Sequence, residues 1–177
     1  PAYAARAKAY LLSSDLPSMY GDIPAKEALR TAEANVERAL QLDPRLGDAH
    51  AVRGHLNAHR GNPDFALASL RHALDLNPNL LDARNWLALA LMDEGRIREA
   101  LDELLILRDL DPLFATAVNN AFIAAMQLGD VEGATRIARA FIDITPDPVI
   151  ALDFRGFIAR VAGRTADALR LWFEVPE

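Results

Sequence analysis

The chain contains no cysteine, few aromatic residues and no long apolar run. Without thiols it can build no disulfide framework, cysteine-ligated zinc site, iron–sulfur cluster or thiol nucleophile. Compartment is not read from that absence, because a thiol-free chain tolerates either redox poise. No stretch approaches the roughly 20 apolar residues of a membrane-spanning helix, and the opening PAYAARAKAY lacks a signal peptide's charged-then-apolar layout. No membrane contact is therefore expected of this segment; a cytoplasmic location is the expectation, which the segment itself does not determine. Basic residues are outnumbered, 19 Lys and Arg against 25 Asp and Glu, for a net charge of −6. Nucleic-acid binding usually needs the opposite balance, so no nucleic-acid role is expected of this segment. Phosphate-binding glycine loops of the GxxxxGK[ST] or GxGxxG kind and the GxSxG nucleophile elbow are also missing. Nothing in the sequence supports catalysis or a cofactor. Residue 1 is Pro and not Met, which leads us to expect a piece of a longer chain.

What the 177 residues do contain is a repeat. Pro44, Pro78, Pro112 and Pro146 are spaced 34 residues apart, and the same interval separates Gly61, Gly95, Gly129 and Gly163, and Ala66, Ala100, Ala134 and Ala168. Each residue type has a mechanical reason for its place. Glycine tolerates the left-handed backbone that ends a helix, proline cannot continue a helix ladder, and alanine lets two helices cross closely. Between these markers, Phe65, Leu67, Leu70 and Leu74 with Ala66 and Ala73 form an apolar stripe at helical spacing. Asn62-Pro63 and Asp147-Pro148 read as N-cap plus first-turn proline. The pattern predicts ten helices in five antiparallel pairs. First helices fall at about 2–12, 47–60, 80–94, 114–128 and 148–162, and second helices at about 25–42, 63–76, 97–110, 131–144 and 165–174.

A 34-residue helix–turn–helix with these markers resembles the tetratricopeptide repeat family, whose pattern is W-x2-L-G-x2-Y…A-x3-F…P. Gly54, Gly61, Ala66, Leu70, Ala73 and Pro78 match it in the second repeat, and Leu87, Ala88, Leu91, Gly95, Ala100, Leu104 and Pro112 in the third. Gly129, Ala134 and Pro146, then Gly156, Gly163 and Ala168, continue it. The resemblance implies an all-α, right-handed α-solenoid of about five repeats forming a single array. The repeats cover about 1–46, 47–80, 81–114, 115–148 and 149–177. The pattern's Trp position is occupied by Tyr3, His50, Arg84, Val118 and Leu152, with Trp86 two places late, so degenerate outer packing is expected. Phe122 and Phe141 replace small residues, which implies looser or shifted packing in the fourth repeat. The first repeat carries an insertion at 13–25, rich in turn formers. Tyr20-Gly21, Glu27-Ala28 and Leu42-Asp43-Pro44 resemble the tetratricopeptide tails of bacterial signalling chains that carry adenylate cyclase, winged-helix or Ser/Thr kinase domains.

In this family the first helices line a concave groove. Carried over position by position, the resemblance implies that Ala4, Lys8, Leu11 and Leu12 face it, then Ala51, His55, Ala58 and His59. Asn85, Leu89, Met92 and Asp93 follow, then Asn119, Ile123, Met126 and Gln127, then Asp153, Phe157 and Arg160. Of these, Lys8, His55, His59, Asn85, Leu89, Met92, Asn119, Ile123, Met126, Phe157 and Arg160 are the candidate partner-binding residues. Apolar members would supply burial and the asparagines would bond a ligand's backbone, while Lys8 and Arg160 are offset by Asp93 and Asp153. A protein or peptide partner is expected. His55, His59 and Asp93 form a minor zinc option, since two imidazoles and a carboxylate leave a fourth place for water. His50 and His72 read as packing or surface residues. Leu169, Leu171, Trp172, Phe173 and Val175 leave an apolar face on the last helix, so self-association through terminal helices, dimerising an attached catalytic or DNA-binding domain, is the alternative role.

Overall fold

The turn between helices is where the repeat's chemistry is most visible. At Gly61 the backbone takes φ 69° and at Gly129 φ 74°. These are left-handed values that let the amide two residues beyond the cap reach back across the turn. Asn62 N–H thereby donates to the Asn57 carbonyl at 3.0 Å, and Asp130 N–H to the Ala125 carbonyl at 2.9 Å. Gly95 and Gly163 adopt the same conformation, so the whole glycine ladder serves as helix stops.

The computed structural model describes residues 1–15 and 23–173. Among the described residues there are ten helices and no strand. They are α1 (Ala2–Asp15), α2 (Ala25–Leu42), α3 (Gly47–His59), α4 (Pro63–Leu76) and α5 (Leu81–Asp93), then α6 (Ile97–Leu110), α7 (Ala115–Gln127), α8 (Val131–Ile142), α9 (Pro148–Val161) and α10 (Thr165–Phe173). Most boundaries fall within two residues of the sequence expectation. The exception is α1, which continues to Asp15 and so takes in the start of the expected insertion. Residues 16–22 of that insertion, including Tyr20-Gly21, lie outside the described residues. Two compact units divide the chain, Pro1–Glu94 and Gly95–Glu177.

Helix starts are set by different devices. Asp147 caps α9 by accepting from Val149 N–H at 2.9 Å, and Asp130 caps α8 by accepting from Gly133 N–H at 2.8 Å. Asn62 stands at the N-cap of α4 but its side chain makes no cap bond; here Pro63, with no N–H to satisfy, starts the helix. Ahead of the first helices runs a ladder that the sequence reading missed. Asp43, Asn77 and Asp111, each 34 residues apart, accept through Oδ1 from the amides of Arg45, Asn79 and Leu113 at 2.9, 3.1 and 3.1 Å. Thr145 takes the same role through Oγ1 toward Asp147 N–H at 3.3 Å. These side-chain turns hold each proline-containing bend in one conformation.

In the first unit α1 packs against α2 and α3, and α5 packs against α3 and α4. Ala66 and Leu70 of α4 are fully buried. The Trp position of the family pattern is polar here and forms a latch. His50 Nε2 donates to the Pro44 carbonyl at 2.8 Å, and Arg84, one repeat later, donates through Nη2 to the Pro78 carbonyl at 2.8 Å. The expected degeneracy is therefore one of residue type and not of contact in these two repeats. His50 Nδ1 accepts from Arg53 Nη2 at 2.8 Å, which fixes the neutral, Nε2-protonated ring. Its edge meets His72, 4.5 Å away between ring centroids.

Burial pushes the His50 pKa below the ordinary imidazole value, and the nearby Arg53 and His72 act in the same direction, against Asp43 and the Pro44 carbonyl. The sign follows: as pH falls through about 6.5 the unfolded chain takes up this proton first, so stability present above that pH is lost below it. Denaturation midpoints measured across this range should fall toward acid, and His50→Gln, which keeps a donor without a titrating ring, should flatten the fall. An unchanged slope in that variant would show that His50 is not responsible.

In the second unit, Ala100, Leu104, Ala134 and Ala168 are fully buried. The interior is aromatic. Phe154 lies 6.3 Å from Phe122, 5.3 Å from Phe141 and 6.3 Å from Phe157 between ring centroids, and Trp172 lies 5.5 Å from Phe157. Phe122 is 4% exposed and Phe141 3%. The expectation of looser packing around them is corrected, because the enlarged side chains fill the interior and pack edge to face.

Candidate partner-binding surface

Each unit carries depressions formed by its first helices. In the first unit α1, α3 and α5 enclose a cleft of about 310 Å³ whose walls include Ala4, Lys8, Asp48, Ala51, Asp82 and Trp86. Lys8 is placed at this cleft as expected, but its Nζ is paired with the Asp82 carboxylate. It therefore does not stand as a free cation balanced by Asp93 or Asp153. Asp48 and Asp82, each in the first turn of its helix and 34 residues apart, were missed as lining residues, although that spacing was readable.

A second depression in the same unit, about 250 Å³, brings together His55, His59, Leu89 and Asp93 with Trp86. His55 lies flat on the Trp86 indole, with centroids 4.6 Å apart and planes 10° from parallel, and its other neighbour His59 is 4.8 Å away. The zinc option is corrected by the arrangement of the possible ligands. Among the described residues no group of three or more His, Asp or Glu side chains is arranged to hold a metal ion. Met92 is half-buried and lines neither depression.

Asn85 departs most from expectation. It is only 6% exposed, because α5 is buried at six consecutive residues from Ala83 to Ala88. A stretch covered on all sides cannot present this amide to a partner, so Asn85 belongs to the interior.

The second unit gathers what the sequence proposed. Asn119, Ile123, Met126 and Gln127 of α7 face Phe157 and Arg160 of α9 across a depression of about 410 Å³, floored by Phe122. Phe157 is held by Phe122 at 5.6 Å and Trp172 at 5.5 Å, so its ring is fixed before any ligand arrives. Ile123 is 38% exposed and Arg160 is exposed. Among the described residues no carboxylate forms an ion pair with Arg160. The site thus combines an apolar floor, two amides with donors and acceptors, and one cation, which is the composition of a surface that buries a side chain and fixes its direction.

No protein-family model and no curated protein sequence matches the chain. Solved structures do match. PilF of Pseudomonas aeruginosa superposes with a TM-score of 0.73 at 16% identity, over 100% of this chain and 79% of its own. MamA superposes at 0.66 with 21% identity, over 86% of this chain and 92% of its own. YrrB, described as a TPR protein with an unusual peptide-binding site, superposes at 0.59 with 29% identity, over 82% and 72% of the two chains. The fold is therefore the all-α tetratricopeptide-repeat fold, with ten helices among the described residues in the order and spacing of about five repeats. No helix among the described residues is long and apolar enough to cross a membrane.

Proposed function

We propose that this chain is a non-catalytic protein–protein interaction module that holds a peptide segment of a partner, with the depression between α7 and α9 as its principal anchor. The observation that carries this reading is the meeting of Asn119, Ile123, Met126, Phe157 and Arg160, all assigned to the groove by the same repeat register, at one depression. A peptide-binding site in a structurally similar protein, YrrB, supports the same use of the fold. An apolar side chain of the ligand would cover Ile123, Met126 and Phe157, while Arg160 would pair with a neighbouring acidic group and Asn119 would bond the ligand backbone. Lys8, neutralised by Asp82, and the buried Asn85 have no part in this contact. The signalling chain suggested by the resemblance of residues 20–44 is the context in which such a module would act, in the cytoplasm.

Selection of a random displayed peptide library on the purified protein tests this reading. Recovered sequences should pair an apolar residue with an Asp or Glu nearby. Phe157→Ala and Arg160→Glu should each weaken capture by about tenfold or more, as expected for losing a buried anchor or reversing a charged contact. Capture that survives both substitutions would reject the site. A second reading, self-association, is favoured by Leu169 and Phe173 of α10, 46% and 80% exposed. Sedimentation of the isolated chain separates the two, since a concentration-independent monomer contradicts self-association.

A further inference from the structure

Among the described residues, none of α10 lines the depression between α7 and α9, yet α10 reaches the ring that borders it. Trp172 stands 5.5 Å from Phe157 between ring centroids, with 69° between the planes, the edge-to-face arrangement that aromatic pairs prefer. Its indole N–H donates to the Asp153 carbonyl of α9 at 3.3 Å. In an α-helix the carbonyl of residue 153 also faces the amide of residue 157, so the indole is tied to the turn that carries Phe157. Room for it comes from Gly156. A Cβ there would stand 2.3 Å from Trp172 Nε1, 2.6 Å from Cε2 and 2.8 Å from Cδ1. Only a residue without a side chain lets the indole lie that close to α9, and Gly156 is buried beneath it.

We propose that Trp172 is a positioning residue for the anchor site, holding the Phe157 ring in the orientation that a partner's apolar side chain meets. The assignment rests on the reading of that depression as a peptide site. The other rings beside Phe157, Phe122 and Phe154, are buried residues of α7 and α9 themselves. Trp172, half-buried, is the neighbour supplied from a third helix. A Phe157 ring free to change rotamer would have to be ordered as the ligand binds, at a cost of about two- to tenfold in affinity. A ring already packed against the indole meets the ligand without that loss. The terminal helix thereby takes part in capture without touching the peptide. Repeat register does not reveal this, because it assigns groove positions to first helices, and Trp172 belongs to a second helix. Phe173, the next residue of α10 and 80% exposed, provides the contrast.

The test titrates a library-selected peptide, one that pairs an apolar residue with a Glu, against variants of the full chain, with the Phe157 ring followed by NMR of protein labelled in its phenylalanine rings. Trp172→Leu should weaken binding about fivefold, less than Phe157→Ala, and should move and broaden the Phe157 ring signals of the free protein. Trp172→Phe keeps an aromatic edge and should bring the loss back to about twofold. Gly156→Ala displaces the indole from the α9 side, so it should weaken binding as Trp172→Leu does and add nothing in the double variant. It also keeps the assignment testable where Trp172→Leu fails to fold. Phe173→Ala should leave binding and ring signals unchanged. Unmoved Phe157 signals in Trp172→Leu and Gly156→Ala would overturn the assignment, as would losses that simply add. Binding lost in Phe157→Ala and kept in both Trp172→Leu and Gly156→Ala overturns the assignment alone, whereas binding that ignores Phe157→Ala overturns the depression as the site and this assignment with it.

Discussion

Phe154→Ala is expected to lower the stability of the protein by about 3–5 kcal/mol, the range for deleting a buried aromatic side chain. The ring is 3% exposed and meets Phe122, Phe141 and Phe157. Its loss would remove both its own burial and the edge-to-face contacts that hold three other rings. Because Phe157 borders the candidate anchor site, peptide capture should weaken as well, while Phe154→Leu, which restores much of the volume, should recover most of both. Equilibrium unfolding in urea gives the result. A loss under about 1 kcal/mol would mean that the aromatic cluster is not the interior of this unit.

Gly54→Val should be nearly as damaging, for the opposite reason. A Cβ at this position of α3 would stand 2.5 Å from Leu70 Cγ, 2.9 Å from Leu70 Cδ2 and 3.2 Å from the Ala66 carbonyl oxygen. Leu70 is fully buried and has nowhere to move. Overpacking of this kind costs about 1–3 kcal/mol or more, and the slightly better helix propensity of valine offsets little of it. Gly61→Ala makes the control. Nothing lies within 4 Å of a Cβ there, so its cost is that of a non-glycine residue at φ 69°, about 1–2 kcal/mol. Adding Leu70→Ala should relieve part of the Gly54→Val defect and none of the Gly61→Ala defect, a difference that a double-mutant cycle reads directly. Equal behaviour of the two pairs would contradict a steric origin.

The helix order was legible because glycine, proline and alanine act through the backbone or through size alone, and these effects repeat with the chain. Gly61, Gly95, Gly129 and Gly163 all have positive φ, and Ala66, Ala100, Ala134 and Ala168 are all fully buried. The latches were not legible for the converse reason. His50 and Arg84 share no shape or charge behaviour, and only their common bond to a proline carbonyl makes them equivalent. The side-chain turns at Asp43, Asn77, Asp111 and Thr145 were disguised in the same way, by three residue types with one acceptor geometry. At the candidate sites, the residues that register assigned to one face, Asn119, Ile123, Met126, Phe157 and Arg160, line one depression. Register misplaced Asn85, because it describes one face of a helix and α5 is covered all round from Ala83 to Ala88. Nor could register foresee the pairing of Lys8 with Asp82, which depends on the packing of α1 against residues 74 positions later in the chain.

The proposed capture of a peptide by the α7–α9 depression is tested most directly by an NMR footprint of a library-selected peptide on the labelled protein. Shifts should concentrate at Asn119, Ile123, Met126, Phe157 and Arg160, with the signals of Asn119, Ile123, Met126 and Arg160 unmoved by the same peptide concentration in the Phe157→Ala variant. Shifts concentrated instead on Leu169 and Phe173 of α10, with the depression silent, would contradict it.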